Sequence, residues 1–391
     1  MSRLGALILL VLNNYLYLIS AGSNPKCIQE STAFESVLMD HDNLKLPQQG
    51  TKVEVTLGIS VIYSLSVMTA DVEVDLDFDS VWHNPDISYQ HLSNCSEPVV
   101  FNMETLKKMW HPDVSFVNSK SAIEHYSPYS NFMGRVFPNG TVLTTSRLIV
   151  KVPCEFDLEA YPFDQVTCTF AIGSFKFVSS ELQLYFSSNG VIFYQPINLP
   201  GYMLTNHTTF RRITKYSQGM WDILTFHLLA RRLYGWHILY IYIPSFLIIV
   251  MNFASFTLST NIDARVTIVV SSLLAGVFLL NEASDKVAEV NFVKAIDIWL
   301  LACIFFITLS LIETMIVRIG YNQNSNQQRS PRPGKHRSTK ESRCCCQLTS
   351  PRRRLALTSW PQKVDLFSLC IFPLVFLGFT IFYVQSNKKF L

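Results

Sequence analysis

Four long apolar stretches fill the C-terminal two-fifths of the chain, and shorter alternating stretches fill the part before them. Trp236 to Leu258, Val266 to Leu280, Ile296 to Val317 and Leu366 to Val384 are each mostly apolar. Three of them approach the roughly 20 residues that a bilayer-crossing helix needs, and the second is shorter and more polar. From Thr51 to Thr225 the apolar positions instead alternate over short runs punctuated by Gly, Pro and Asn, the pattern of a β-sandwich. Val53 to Leu57, Asp71 to Phe78, Val142 to Val152 and Leu182 to Phe186 are the clearest strands. The only short helical region before the spans is Phe34 to Leu38.

The second span is amphipathic in a way that points to chemistry. On a helix Thr267, Ser271, Leu274, Phe278 and Asn281 or Glu282 recur at intervals of three and four and share one face. Hydroxyls mark one end of that face, Leu274 and Phe278 its middle, and carboxylates at Glu282 and Asp285 the other end. A hydroxyl-lined throat narrowed by Leu and Phe suits an ion pore that gates by dewetting. Packing of incidental Ser and Thr in a bundle is the plainer alternative.

Composition and charge place these elements relative to a membrane. A hydrophobic content of 49% exceeds what a soluble domain needs, and a net charge of +3 over 391 residues gives no reason to expect a nucleic-acid partner. Arg3, the apolar run through Ile19 and the small residues Ser20 to Gly22 read as a secretory signal. Sequons at Asn94, Asn139 and Asn206 all precede the first span. Cys27, Cys95, Cys154 and Cys168 share that exported half, an even count that permits two disulfides. Between the third and fourth spans, Gly320 to Lys363 carries ten Lys or Arg against the single acid Glu341, as a cytoplasmic loop does. Cys344, Cys345 and Cys346 within it lack zinc-site spacing. The divisions expected are a signal peptide at 1–22, an extracellular ligand-binding domain at 23–234, three spans at 235–319, a basic loop at 320–363, and the fourth span with an extracellular C-terminus at 364–391. Both termini then lie outside the plasma membrane.

The segment Cys154-Glu-Phe-Asp-Leu-Glu-Ala-Tyr-Pro-Phe-Asp-Gln-Val-Thr-Cys168 resembles the signature of the Cys-loop receptors, the pentameric ligand-gated ion channels. The resemblance extends through Trp110-His-Pro-Asp113, Asn139-Gly-Thr-Val142, Tyr242-Ile-Pro-Ser245, Ala264-Arg-Val266 and Val293-Lys-Ala-Ile-Asp-Ile-Trp299. The last two look like the glycine and GABA receptor branch. It implies a Cys154 to Cys168 disulfide, leaving Cys27 with Cys95, and a β-sandwich followed by a four-helix transmembrane bundle. It also implies a homo- or hetero-pentamer of related subunits in the lipid bilayer, with ligand held between neighbouring exported domains. The Cys154 to Cys168 loop would press on the Ser284 to Phe292 linker and so move the pore helices.

The resemblance also frames the agonist. Where glycine-like members carry an arginine three residues before a tryptophan, this chain has Asp79 before Trp82. Glu73, Asp75, Asp77 and Asp79 alternate with Val74, Leu76 and Phe78, so one strand face is expected to be acidic. Such a face repels an amino-acid carboxylate and favours a cationic amine, a metal such as zinc, or gating by protons. His83, His91, His125 and His207 are candidate helpers for zinc. Ser174, Phe175, Lys176 and Phe177 match a binding loop, Ile213 to Ile223 with Tyr216 and Trp221 a closing loop, and Thr145 with Arg147 the facing strand of a neighbour. Gly173 stands where glycine-like sites place a carboxylate for the ligand amine. The combination resembles the pH-sensitive and metal-sensitive chloride channels of insects.

Ion choice is read at Asp263-Ala264-Arg265. Anion-selective members carry Pro-Ala-Arg there, so Ala264 and Arg265 favour chloride, whereas Asp263, Glu282 and Asp285 favour cations. A chloride channel opened by an amine, zinc or a pH change is the leading reading. A cation channel of the same family and a non-conducting accessory subunit stand beside it. Phosphate loops, nucleophile elbows and metal-protease helices are absent from the sequence, which gives no reason to expect an enzyme or a cofactor.

Overall fold

The computed structural model describes residues 28–92, 97–258, 261–287, 289–329 and 360–387, and it divides into two compact units. Residues 157–164 and those from Arg232 onward group with the helices, and the rest form the sheet unit. The signal sequence, Asn94, Cys27, Cys95, and Cys344 to Cys346 lie outside the described residues.

The sheet unit begins with helix α1 (Ile28–Met39) and includes the one-turn helix α2 (Met103–Leu106). Of its eleven strands seven follow the order β10-β11-β8-β7-β2-β1-β9, and β3, β4, β5 and β6 pair off that path. The eleven are β1 (Thr51–Ser66), β2 (Asp71–His83), β3 (Val99–Phe101), β4 (Val114–Phe116), β5 (Ser121–Glu124), β6 (Phe132–Val136), β7 (Thr141–Phe156), β8 (Gln165–Ser174), β9 (Leu182–Phe193), β10 (Tyr202–Tyr216) and β11 (Gly219–Arg232). Each expected strand is present and most are longer than the alternation alone marked, because cross-strand hydrogen bonding carries the extended backbone past the last apolar residue. Strand β7 holds the unit together: along most of its length it pairs antiparallel with β2, and at its end Cys154, Glu155 and Phe156 pair with Cys168, Thr167 and Val166 of β8. Cys154 and Cys168 are disulfide-bonded at that crossing.

The alternation in β1 and β2 explains the core. Val53, Val55, Leu57 and Ile59 point inward with Val72, Val74, Leu76 and Phe78, and they meet Phe170, Ile172, Leu224 and Phe226 from β8 and β11. Trp82 meets Trp110 edge to face, ring centres 6.5 Å apart. The buried apolar side chains supply most of the unit's stability, at roughly 25 cal/mol per Å2 removed from water.

The helical unit has four helices long and apolar enough to cross a membrane. They are α3 (Gly235–Thr257), α4 (Ile262–Ser284), α5 (Ala295–Arg329, apolar through Asn322) and α6 (Trp360–Asn387). Aromatic rings from three of them interlock: Trp299 of α5 packs on Tyr242 of α3 and on Phe376, Phe379 and Tyr383 of α6. Hydrogen bonds join the helices at buried positions, Asn252 donating to Ser310 at 2.8 Å and Trp299 Nε1 to Ser245 at 2.8 Å.

Candidate functional site

The expected ligand residues fall into two groups on different sheets. Ser174, Phe175, Tyr216 and Trp221 line one cavity of about 670 Å3 with Ser115, Phe116, Val117, Gln218 and Ile223. The β8–β11 pairing sets this up, since Ile223 lies opposite Gly173 and Ser115 of β4 pairs with Gly173 from the other side. Phe175 is 84% exposed and Tyr216 48% exposed, and Tyr216 meets Trp221 edge to face at 5.8 Å. Below the loop, Arg211 grips the buried Asp222 at 2.6 Å, and Asp222 also accepts from the Leu184 amide. The loop that carries the two aromatics is thus anchored by an ion pair where no second disulfide exists. A side chain at Gly173 would displace Ile223, whose Cδ1 lies 2.6 Å from where a Cβ would stand, so the missing carboxylate is replaced by apolar wall.

Two members of this group have other employment. Ser174 is buried, its hydroxyl donating to the Pro112 carbonyl and accepting from the Phe177 amide, so that hydroxyl is engaged in shaping the loop at the cavity wall. Phe177 packs against Trp110 at 5.4 Å, on the core and away from the cavity lining. Of these two residues, expected from the match to a binding loop, Ser174 forms part of the cavity wall and Phe177 is not among the lining residues.

The second group lies where β2 runs between β1 and β7. Asp79 is half-buried opposite Thr145, and Asp77 lies opposite Arg147. Burial pushes the Asp79 carboxyl above its ordinary value, and the neighbouring Asp77 adds to the rise, against a hydrogen bond from Thr145. Tyr194 reaches Asp77 across Gly58, which is why its phenol is raised by burial and by that carboxylate. The remaining acids are spent. Arg147 holds the buried Asp75 through two hydrogen bonds of 3.1 and 2.8 Å, and His125 lies 3.4 Å from the same carboxylate. Burial alone would raise Asp75; Arg147 and the Tyr63 hydroxyl outweigh it and hold the carboxyl low. Lys151 lies 3.5 Å from Glu73. The expected metal site at Glu73, Asp75, Asp77 and Asp79 is therefore corrected: among the described residues no group of three or more His, Cys, Asp or Glu could hold a metal ion. Period-two spacing puts acids in a row and neighbouring strands supply their cations. Arg147 likewise serves Asp75 first.

In the helical unit, the face expected to line a pore is the one left uncovered. Thr267, Ser271, Leu274, Phe278, Asn281 and Glu282 are all exposed, with Leu274 at 58% and Phe278 at 65%. Val269, Ser272, Gly276 and Ala283 on the opposite face are buried against the bundle. Arg265 belongs to that buried face and is fully enclosed, bound by Glu313 of α5 and Asp365 of α6 and lying over the Phe256 ring at 4.8 Å. A positive pore ring of Arg265 side chains is therefore corrected, and Ala264 is half-buried beside it. Sequence reasoning missed Glu313 and Asp365; Glu313 lies inside the third apolar span, where a carboxylate is rare enough to have flagged it, and Asp365 stands just before the fourth.

Residues 157–164 carry one more buried pair. Arg232 donates to Asp164 at 2.6 and 2.9 Å and lies over the Tyr161 ring at 4.8 Å. The Ile296 amide donates to the Tyr161 carbonyl at 3.1 Å, tying the loop to the start of α5. Burial pushes the Tyr161 phenol up to about 12.

Residues 30–234 match the model of the neurotransmitter-gated ion-channel ligand binding domain, and residues 241–359 that of the neurotransmitter-gated ion-channel transmembrane region. The chain belongs to the Cys-loop family of neurotransmitter-gated ion channels, on its anion-channel branch. That family is one of ion channels and is not an enzyme family. It is 34% identical over 76% of its length to the acetylcholine-gated chloride channel subunit acc-1 of Caenorhabditis elegans, covering 64% of that protein. It is 33% identical over 72% of its length to the serotonin-gated chloride channel mod-1 of the same organism, covering 58%. It is 30% identical over 91% of its length to the acetylcholine-gated chloride channel subunit acc-2 of that nematode, covering 85%. The matched stretch thus spans less than two thirds of the length of the first two relatives. Of the sequons, Asn139 and Asn206 are exposed in the sheet unit.

Proposed function

We propose that this chain is a subunit of a pentameric chloride channel opened by a small cationic amine. The sheet unit is the extracellular β-sandwich, and the amine binds where the Phe175, Tyr216 and Trp221 cavity of one subunit meets the Asp77, Asp79 and Thr145 strand face of its neighbour. Exposed aromatic rings attract a cation through their π faces, by about 0.5–2 kcal/mol each. A carboxylate across the interface then orients the ammonium. The observation that carries this reading is the aromatic cavity, paired with an acidic strand where an amino-acid receptor needs an arginine. The names of the relatives, acetylcholine-gated and serotonin-gated chloride channels, point the same way.

In this reading the exposed face of α4 lines the pore, with Leu274 and Phe278 as its dry constriction. The residues after Asp164 and Arg232 transmit the motion. The chain sits in the plasma membrane with both termini outside, as a homomer or with related subunits. Asp263, exposed on the same face, favours the cation-channel alternative.

The test is whole-cell current from cells expressing the chain, with acetylcholine, serotonin and other amines applied in turn, then zinc and acid, and chloride replaced in a second run. Amine-evoked current that reverses with chloride supports the proposal. Current evoked by zinc or protons alone, or one that follows sodium, overturns it.

A further inference from the structure

The foot of the pore helix poses an electrostatic conflict. Asp263 is one helical turn before Thr267 and so belongs to the exposed stripe that continues through Ser271, Leu274 and Phe278. Its carboxylate is 88% exposed, and the Thr267 hydroxyl donates to its backbone carbonyl at 3.0 Å. A carboxylate in every subunit at this level repels anions. The cation that the sequence places two residues on, Arg265, does not answer it. Its guanidinium is enclosed on the opposite face and already shared by Glu313 and Asp365, so that cluster carries no positive charge to the pore side.

The compensating charge comes from another helix. Arg318, on α5 five residues after Glu313, reaches back to Asp263 with Nη2 3.5 Å from Oδ1. Its side chain is 51% exposed, so the guanidinium stands in water beside the carboxylate and does not enter the bundle.

We propose that Arg318 is a selectivity-determining residue: by pairing with Asp263 it cancels the negative charge at the foot of the pore-lining face and lets chloride pass. This rests on the chloride-channel reading above. An ion within about 8 Å of a lone carboxylate feels its field at physiological ionic strength, whereas the field of a close ion pair falls off much faster. Removing Arg318 uncovers one negative charge per subunit around the same ring. The effect of such a pair on folding is small, since exposed ion pairs contribute about 0–1 kcal/mol. Selectivity, not assembly, is therefore the property that responds.

The experiment measures the chloride-to-sodium permeability ratio from reversal potentials, under amine and, independently of agonist, in a Leu274→Ser background. Arg318→Gln is expected to lower the ratio at least about fivefold, since it uncovers a ring of like charges on the pore-lining face. Arg318→Lys keeps the ratio, and Asp263→Asn combined with Arg318→Gln restores it to within about twofold of the parent, because the partner charges are then both gone. A parent current that follows chloride with Arg318→Gln unchanged overturns this proposal alone. A double variant as unselective as Arg318→Gln also overturns it, since Arg318 would then act on the ion directly. A parent current that follows sodium, or none in either background, overturns the chloride-channel reading itself.

Discussion

Replacing Asp164 with Asn changes no shape and removes one charge from a pair that water does not reach. The Asp164 carboxylate is fully buried and accepts from two nitrogens of Arg232, Nε at 2.6 Å and Nη2 at 2.9 Å, while the Arg232 side chain is 9% exposed. After the substitution the guanidinium keeps its position over Tyr161 but faces an amide that can match only part of its donors. Breaking a buried pair from one side costs about 3–5 kcal/mol, because the stranded charge cannot regain its hydration. That is a large share of the roughly 5–15 kcal/mol by which folded domains exceed their unfolded state. The melting midpoint of the detergent-solubilised protein, followed by loss of its size-exclusion peak, is expected to fall by about 6–20 °C, with a matching loss of surface labelling. Asp164→Leu with Arg232→Met removes both charges and is expected to recover much of that fall. A midpoint for Asp164→Asn within about 2 °C of the parent would refute the reasoning, since it would mean water reaches the pair.

Leu274→Ser puts a hydroxyl at the dry constriction and is expected to give leak current or at least about tenfold higher amine sensitivity; unchanged gating in patch-clamp recordings would remove Leu274 from the gate. Because burial and Asp77 raise the Asp79 carboxyl, it takes up its proton at a higher pH than an ordinary aspartate. The ammonium-binding anion is therefore present above that raised value and lost as pH falls through it. Amine potency should decline on acidification in the parent and stay flat in Asp79→Asn, read from dose–response curves at stepped external pH. Arg265→Gln leaves Glu313 and Asp365 buried without their cation and should abolish surface expression at a cost of about 3–5 kcal/mol, with partial rescue by Glu313→Gln and Asp365→Asn together; normal expression of Arg265→Gln with altered selectivity would return Arg265 to the pore.

The exposed stripe of α4 was legible in sequence because a period of three and four is a property of one helix, and every residue placed on it is exposed. The strand cores of β1 and β2 were legible for the same reason, with a period of two. Partners across elements were not. The acids of β2 were visible as a row, but which of them remain free depended on Arg147 and Lys151 arriving from β7.

Local periodicity therefore determined the architecture: a strand-rich unit, then four apolar helices of which the second keeps an uncovered polar and apolar stripe. The spacing of Cys154 and Cys168 marked the loop they close, and the family resemblance pointed to Phe175, Tyr216 and Trp221, which line one cavity. Where each charge is spent depended on packing between distant elements. Arg265 faces two carboxylates 48 and 100 residues away, and Asp263, two positions earlier, faces Arg318. Neighbouring residues on a helix point in different directions, about 100° apart per residue, so adjacent charges meet different surroundings that the chain supplies from far along its length.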